Sequence, residues 1–162
     1  MEPTPPLTLR PATDADQAAV LACLRAAFAP YEARYTPAAF QATVLDPERF
    51  RARLAAMRIE LALSPGDRLL GTLAWQDRGG GEGHLRGLAV LPEAQGRGVA
   101  GALLQAAEAD LWSRGCARIT LRTTHLLLRA LTFYARHGYR PTGRRFAWEG
   151  MEVLELEKPR PN

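Results

Sequence analysis

The chain has 162 residues, 47% of them hydrophobic, and carries a formal net charge of +4 at pH 7. This length and apolar content predict a single globular domain spanning residues 1–162. No apolar run approaches the roughly 20 residues that cross a bilayer, and the N-terminus lacks the basic and apolar segments of a signal peptide. We therefore expect a cytoplasmic protein without a membrane partner.

The positive charge and the two cysteines have simple explanations. The arginines are spread along the chain, and no basic run with interleaved aromatic residues is present, so a nucleic-acid partner is not expected. Cys23 and Cys116 lack metal-ligand spacing, which favours two small buried thiols over a disulfide or a nucleophile. No group of potential ligands suggests a metal site.

The N-terminal half of the chain predicts a strand, two helical regions and a β-hairpin. A Pro-rich arm at residues 1–6 is expected to be disordered. The patterning then predicts, in chain order, a strand at 7–10, a helix at 14–29, a loop at 30–37, a helical region at 38–57 that breaks at Asp46-Pro47, and strands at 59–63 and 69–75.

The stretch from residue 85 to 104, LRGLAVLPEAQGRGVAGALL, is the most informative part of the sequence. Its apolar start predicts a buried strand at 85–91, which Pro92 ends because proline has no N–H for a ladder. Gly96, Gly98 and Gly101 then mark the start of a helix that reaches residue 114. Glycines allow a ligand to approach the backbone, and the first N–H groups of a helix have no internal partner. These features predict a phosphate site.

Three phosphate-binding motifs come into question here. The Walker loop is excluded because Ala102 and Leu103, rather than lysine and serine or threonine, follow Gly101. The pattern Gly-x-Gly-x-x-Gly matches the dinucleotide fingerprint, but four residues separate it from its strand and no acid ends the next strand, at 118–124. Too little chain follows to build a second nucleotide-binding half.

The third motif fits better. Residues 95–100, QGRGVA, fit Gln/Arg-x-x-Gly-x-Gly/Ala and follow LAVLPE, which resembles the acyl-CoA pyrophosphate loop of the GNAT superfamily of N-acetyltransferases. Residues 129–139, RALTFYARHGY, are similar to that family's A-x-x-F/L-Y-x-x-x-G-F/Y segment and lie in a helix predicted at 126–137. The two motifs cover the C-terminal half of the chain. Two last strands, the second at 151–157, and a disordered tail at 159–162 complete the prediction.

The resemblance implies a mixed α/β (α+β) fold, the GNAT fold. Its central sheet would be mostly antiparallel, with a splayed parallel strand pair and flanking helices. The strands at 85–91 and 118–124 would form that pair, since a short crossover joins them. Acetyl-CoA would be the co-substrate, with no metal. Its binding residues would be Leu88, Ala89 and Val90 on the strand and Gln95, Gly96, Arg97, Gly98, Val99, Ala100 and Gly101 in the loop.

The family positions also imply catalytic roles. An N–H at Val90 would stabilise the oxyanion of the thioester carbonyl. Tyr134 stands where the family carries the acid that protonates the leaving thiolate, with a core tyrosine as the alternative. His84 stands where relatives often carry a glutamate base, and a histidine that titrates near neutrality suits that role. Glu82 is a second candidate, and a surface histidine is the other interpretation of His84. Leu127 departs from the family, which often has asparagine there.

The resemblance thus implies an N-acetyltransferase that moves an acetyl group from acetyl-CoA to a primary amine of a small molecule or peptide. Direct attack is expected because no cysteine lies in either motif. Tyr31, Glu32 and Tyr35 in the predicted loop would bind the acceptor, although a solvated connection is the simpler interpretation of that loop. The alternative function is a non-catalytic acyl-CoA-binding module, as a sensor or partner subunit. A homodimer is left open.

Overall fold

The computed structural model describes residues 6–162, so the predicted arm at 1–6 lies outside the described residues except for Pro6. Within these residues, a seven-stranded sheet has the order β1-β2-β3-β4-β5-β7-β6, and only its neighbours β4 and β5 run parallel. The strands are β1 Thr8–Pro11, β2 Arg58–Leu63, β3 Leu69–Asp77, β4 Glu82–Val90, β5 Arg118–Thr123, β6 Arg140–Trp148 and β7 Met151–Pro159. The helices are α1 Gln17–Phe28, α2 Pro37–Val44, α3 Pro47–Ala56, α4 Val99–Ser113 and α5 Leu128–Arg136. The predicted mixed α/β architecture is confirmed.

The two parallel strands separate soon after they begin. β4 pairs with β5 only from Glu82 to His84, whereas its pairing with β3 continues to Val90. Between the pairs Ala74–Arg86 and Thr72–Ala89, β3 has one residue and β4 has two. The extra residue makes a β-bulge in β4, where Gly87 has a φ of 70°. A bulge bends its strand, and the predicted splay is therefore present as a gap that widens beyond His84.

Apolar side chains form one core cluster on each face of the sheet. Helices α1, α2 and α3 cover one face, where Leu24 and Phe50 pack against Leu61. Helices α4 and α5 cover the other face, where Leu103 packs against Leu85. Residues on a strand alternate between faces, which lets one sheet serve two cores. Cys23 and Cys116 are free and buried in different clusters, as predicted.

Several boundaries differ from the prediction, and one break is confirmed. Strand β4 begins at Glu82, three residues earlier than predicted, so Glu82 and His84 lie within it. The loop predicted at 30–37 is largely a 3-10 helix, Ala29–Arg34. Helix α5 begins two residues later than predicted because the Leu126 N–H donates to the Thr124 hydroxyl in a local turn. The tail predicted from 159 is shorter, since β7 includes Pro159 and the Arg160 N–H donates to Ala117. The break at Asp46 is confirmed, where the carboxylate caps α3 by accepting from a backbone N–H.

No helix within residues 6–162 is long and apolar enough to cross a membrane.

Candidate functional site

The gap between β4 and β5 opens into a pocket of about 820 Å³. It brings together most of the residues that the sequence predicted, namely Tyr31, Tyr35, His84, Leu88, Ala89, Val90, Gln95, Gly96, Gly98, Val99, Ala100, Gly101 and Tyr134. Three predicted residues do not line the pocket, namely Glu32, Arg97 and the second candidate base Glu82. Glu32 on the 3-10 helix and Arg97 in the glycine-rich loop are both exposed.

The glycine-rich loop presents a row of free backbone donors. The first backbone hydrogen bond of α4 runs from the Ala102 N–H to the Gly98 carbonyl, and the N–H groups of residues 96–101 donate to no carbonyl of the described chain. Gly98 caps the helix with a φ of 83°, a left-handed conformation that favours glycine. A Cβ added at Gly96 or Gly101 would meet nothing within 4 Å. The donors therefore border open space, as a diphosphate site at a helix N-terminus requires.

The last residue of β4 has a backbone N–H that faces the gap. The Leu91 N–H donates to the Leu70 carbonyl on the β3 side, at 2.8 Å. Successive N–H groups along a strand point to opposite sides, so the N–H of Val90 points away from β3. The ladder to β5 has already ended at that height. The Val90 N–H is therefore placed to donate to a ligand in the gap.

The amide side chain of Gln95 connects the glycine-rich loop to both β4 and α5. Gln95 donates through Nε2 to the Val90 carbonyl at 3.3 Å and accepts through Oε1 from Arg129 of α5 at 2.6 Å. Arg129 lines the pocket. The contact between Arg129 and Gln95 was not predicted, because residues this far apart in sequence give no local signal of their contact.

His84 is the inner member of a chain of three polar side chains. Its Nδ1 lies 2.8 Å from Oγ1 of Thr120, and that hydroxyl lies 2.9 Å from the Glu82 carboxylate. Burial raises the pKa of Glu82, but the hydrogen bond from Thr120 and the charges of Arg118 and Arg78 outweigh it and leave that pKa lowered. An ionised carboxylate only accepts, so Thr120 donates to Glu82 and accepts from His84 Nδ1–H.

This tautomer leaves Nε2 of His84 as a hydrogen-bond acceptor. No group of residues 6–162 hydrogen-bonds Nε2, and the side chain lines the pocket. The pKa of His84 is lowered to about 3, mainly by burial. The positive charges of Arg78, Arg122 and Arg86 also lower it, whereas the negative charge of Glu82 raises it. The expectation of a histidine that titrates near neutrality is therefore wrong. The ring is neutral at physiological pH, and its free lone pair is held in a fixed orientation.

Tyr134 is buried on α5, with 6% of its surface exposed. Its ring makes edge contacts with Phe133 and Tyr139, with centroids at 5.4 and 5.5 Å. Burial raises the pKa of Tyr134 above its ordinary value, so the phenol keeps its proton at any physiological pH. No group within residues 6–162 hydrogen-bonds the hydroxyl, and the side chain lines the pocket.

Leu127, the position that departs from the family pattern, and three arginines also line the pocket. Leu127 presents an apolar side chain to the pocket just before α5. Arg53, Arg86 and Arg122, which were not singled out from the sequence, line it too. Strand alternation could have found Arg86 and Arg122, because each follows a residue of the polar chain by two positions. Among the described residues, no three histidines, cysteines or acids are grouped so as to hold a metal ion.

Comparison with known proteins gives a family match and a set of similar folds. A sequence model described as acetyltransferase (GNAT) family matches residues 21–139. No protein with a curated description matches the chain in sequence.

Several solved structures are similar to this chain along nearly its whole length. A GNAT-family acetyltransferase from Staphylococcus aureus is 13% identical with a TM-score of 0.79, over 95% of this chain and 99% of that one. The PaiA N-acetyltransferase from Thermoplasma acidophilum, solved in complex with coenzyme A, is 15% identical with a TM-score of 0.78, over 96% and 99%. The ribosomal-protein-S18-alanine N-acetyltransferase from Escherichia coli is 18% identical with a TM-score of 0.76, over 95% and 94%. The TM-scores show a common fold, and at these low identities the similarity shows the fold alone.

Proposed function

The chain belongs to the acetyltransferase (GNAT) family, and from this premise we propose that it transfers an acetyl group from acetyl-CoA to a primary amine of a small molecule or peptide. The observation that carries the proposal is the gap between β4 and β5, which the free N–H groups of residues 96–101 border at one end. A long thioester with a diphosphate at one end matches this shape. The similar protein from Thermoplasma acidophilum was solved with coenzyme A, which supports the same ligand class.

The cofactor would be held mainly by backbone groups. The amides of residues 96–101 would donate to the pyrophosphate, and the pantetheine arm would lie in the gap beside Leu88 and Ala89. The Val90 N–H would donate to the thioester oxygen and stabilise the negative charge that develops there. Leu127 would contribute only apolar contact, so the arm depends on the backbone for its polar interactions.

The reaction would proceed by direct attack of the amine on the thioester carbon. A new C–N bond forms, the C–S bond breaks, the nitrogen loses a proton and the departing sulfur gains one. Tyr134, which keeps its proton until the C–S bond breaks, would supply the proton to sulfur, and its phenolate would then regain a proton from water. Neither Cys23 nor Cys116 lines the pocket, which supports a route without an acyl-cysteine.

His84 would orient the amine. With a pKa of about 3, its imidazole is too weak a base to store the amine proton near neutrality. Its Nε2 would instead accept a hydrogen bond from the amine N–H and so direct the nitrogen lone pair at the carbonyl carbon. The proton released from nitrogen would pass to water.

The test begins with calorimetric titration of the protein with acetyl-CoA, CoA and NADPH. Binding of acetyl-CoA followed by amine-dependent release of the CoA thiol is the expected result. No binding of acetyl-CoA would refute the proposed function, and binding of NADPH instead would favour a dinucleotide site. Tight binding of acetyl-CoA without turnover across a broad panel of amines would favour the alternative, a non-catalytic acyl-CoA-binding module.

A further inference from the structure

Two arginines stand at the mouth of the gap, one on each separating strand. The parallel ladder ends where His84 lies opposite Thr120. Side chains two residues further along a strand return to the same face, which places Arg86 of β4 and Arg122 of β5 directly beyond that pair. Both line the pocket. They therefore flank the imidazole on the face of the sheet that α1, α2 and α3 cover.

A third arginine reaches the same place from α3. Nη1 of Arg53 lies 2.6 Å from the position that a Cβ on Gly87 would occupy, so the guanidinium packs against the bulge in β4. Arg53 and Arg86 also line a second cavity of about 370 Å³, with Ala42, Trp148 and one acid, Glu149, which forms no ion pair with either arginine. Burial, together with the charge of Arg86, lowers the pKa of Arg53 to about 10, which still leaves it charged at neutral pH.

None of these three arginines forms an ion pair within residues 6–162. Within the same residues, no aspartate or glutamate lines the pocket. The Arg122 guanidinium stacks over the Phe146 ring at 3.7 Å. Glu155 lies opposite Arg122 in the β5–β7 ladder, but its carboxylate is 3.9 Å from Arg144 and does not line the pocket.

Arg53 is half-buried, whereas Arg86 and Arg122 are exposed. A guanidinium that is partly removed from water without a counter-ion, as in Arg53, is costly to the folded state. Such a cost is typical of a site that receives its counter-ion with the ligand. The pyrophosphate of the cofactor is too distant to be that ion. Arg86 precedes Val90 by roughly 13 Å along the strand, and the phosphate-binding amides begin only beyond Val90.

We propose that the acceptor is a small amine that also carries an anionic group, a carboxylate or a phosphate, bound by Arg53, Arg86 and Arg122. The inference rests on the proposed acetyltransferase function and specifies its acceptor class. With the anion at these guanidinium groups, the amine lies beside His84, which is two residues from Arg86 on the same face. Free amino acids and aminoalkyl phosphates fit this arrangement, whereas polyamines and neutral amines leave the arginines without a counter-ion.

The experiment compares acceptors that differ only in the anion. Release of the CoA thiol is measured with the 20 free amino acids, their amides and the corresponding decarboxylated amines, and with phosphoethanolamine against ethanolamine. We expect at least one anionic amine to exceed its neutral counterpart by roughly tenfold or more in kcat/KM. The two sets distinguish a carboxylate from a phosphate. A neutral or cationic amine such as spermidine that matches or exceeds the anionic amines would overturn the inference and leave the acetyltransferase function standing.

Arginine variants locate the anion. Arg86→Gln and Arg53→Gln should each raise the KM for the anionic acceptor by roughly tenfold or more while the Kd for acetyl-CoA stays the same. Arg51→Gln is the matched control, because Arg51 is exposed on the same helix as Arg53 and lies outside the pocket. A rise in the Kd for acetyl-CoA with no change in acceptor KM would assign these arginines to the cofactor and overturn the inference. Protein that binds acetyl-CoA but acetylates no amine would refute the proposed function itself, and the inference with it.

Discussion

Nδ1 of His84 lies 2.8 Å from the hydroxyl oxygen of Thr120, at the last paired position of β4 and β5. The contact closes the parallel ladder at the point where the strands separate, and it joins the imidazole to the Glu82 carboxylate through one hydroxyl. Thr120 has no exposed surface, so water does not compete for these bonds. The hydrogen bonds that fix the ring therefore also mark where the pocket begins.

Replacing this hydroxyl with a methyl group should disturb His84 without changing the shape of the core. Thr120→Val leaves Glu82 and Nδ1 of His84 without their common partner, which we expect to lower the free energy of unfolding by about 1–3 kcal/mol. No hydrogen bond then fixes which ring nitrogen of His84 carries the proton. Because Nε2 must be free of a proton to accept from the amine, kcat should fall as well. Denaturant unfolding and thiol-release kinetics measure the two effects.

Thr72→Val is the matched control for that variant. Thr72 is also buried, and its hydroxyl donates to the Glu60 carbonyl at 2.9 Å, away from the pocket. Thr72→Val should lower the free energy of unfolding by an amount comparable to that of Thr120→Val, with no change in kcat. If both variants keep the wild-type kcat, the hydrogen bond to His84 has no catalytic consequence.

The low pKa of His84 predicts how stability and activity depend on pH. The unfolded chain takes up a proton on this ring near pH 6.5, whereas the folded protein does so only near pH 3. The unfolded state therefore binds more protons in this window, and the free energy of unfolding should fall as the pH drops from 6.5 toward 3. His84→Gln should reduce that slope. In NMR titrations the imidazole resonance that this variant removes should not shift between pH 8 and 5, and a midpoint near 6.5 would contradict the prediction.

Removing one phenolic hydroxyl should separate turnover from cofactor binding. Tyr134→Phe should lower kcat by about 100- to 10,000-fold, the usual contribution of a positioned acid, with the Kd for acetyl-CoA unchanged. Single-turnover kinetics and calorimetry measure these quantities.

Tyr139→Phe makes the same chemical change in the neighbouring ring. The Tyr139 hydroxyl is buried without a hydrogen-bond partner in residues 6–162 and does not line the pocket. Its loss should leave kcat unchanged and hold or raise the free energy of unfolding, because an unsatisfied polar group is removed. Equal turnover in wild type and Tyr134→Phe would exclude Tyr134 as the acid.

The sequence predicted what local patterns determine. The apolar run of β4, the glycines before α4 and the proline after Asp46 each act within a few residues, and those elements are present in the structure. The polar chain was not predicted, since Thr120 meets His84 only after a helical crossover brings β5 beside β4. The contact of Arg53 with Gly87 was not predicted either, because it depends on how α3 packs over the bulge in β4. The raised pKa of Tyr134 and the lowered pKa of His84 depend on burial, which no short motif specifies.

A charge change at Gly101 should test the phosphate site without unfolding the protein. Gly101 lies in the first turn of α4, its φ is not left-handed, and an added Cβ meets nothing within 4 Å. A glutamate there also suits the positive end of the helix dipole, so Gly101→Glu should keep or raise the free energy of unfolding. The new carboxylate would face the pyrophosphate, however, and should weaken acetyl-CoA binding by roughly tenfold or more, or about 1.4 kcal/mol. Gly66→Glu is the control, because Gly66 shares that freedom from strain in a turn outside the pocket. If Gly101→Glu and Gly66→Glu bind acetyl-CoA equally well in calorimetry, the diphosphate does not lie at the start of α4.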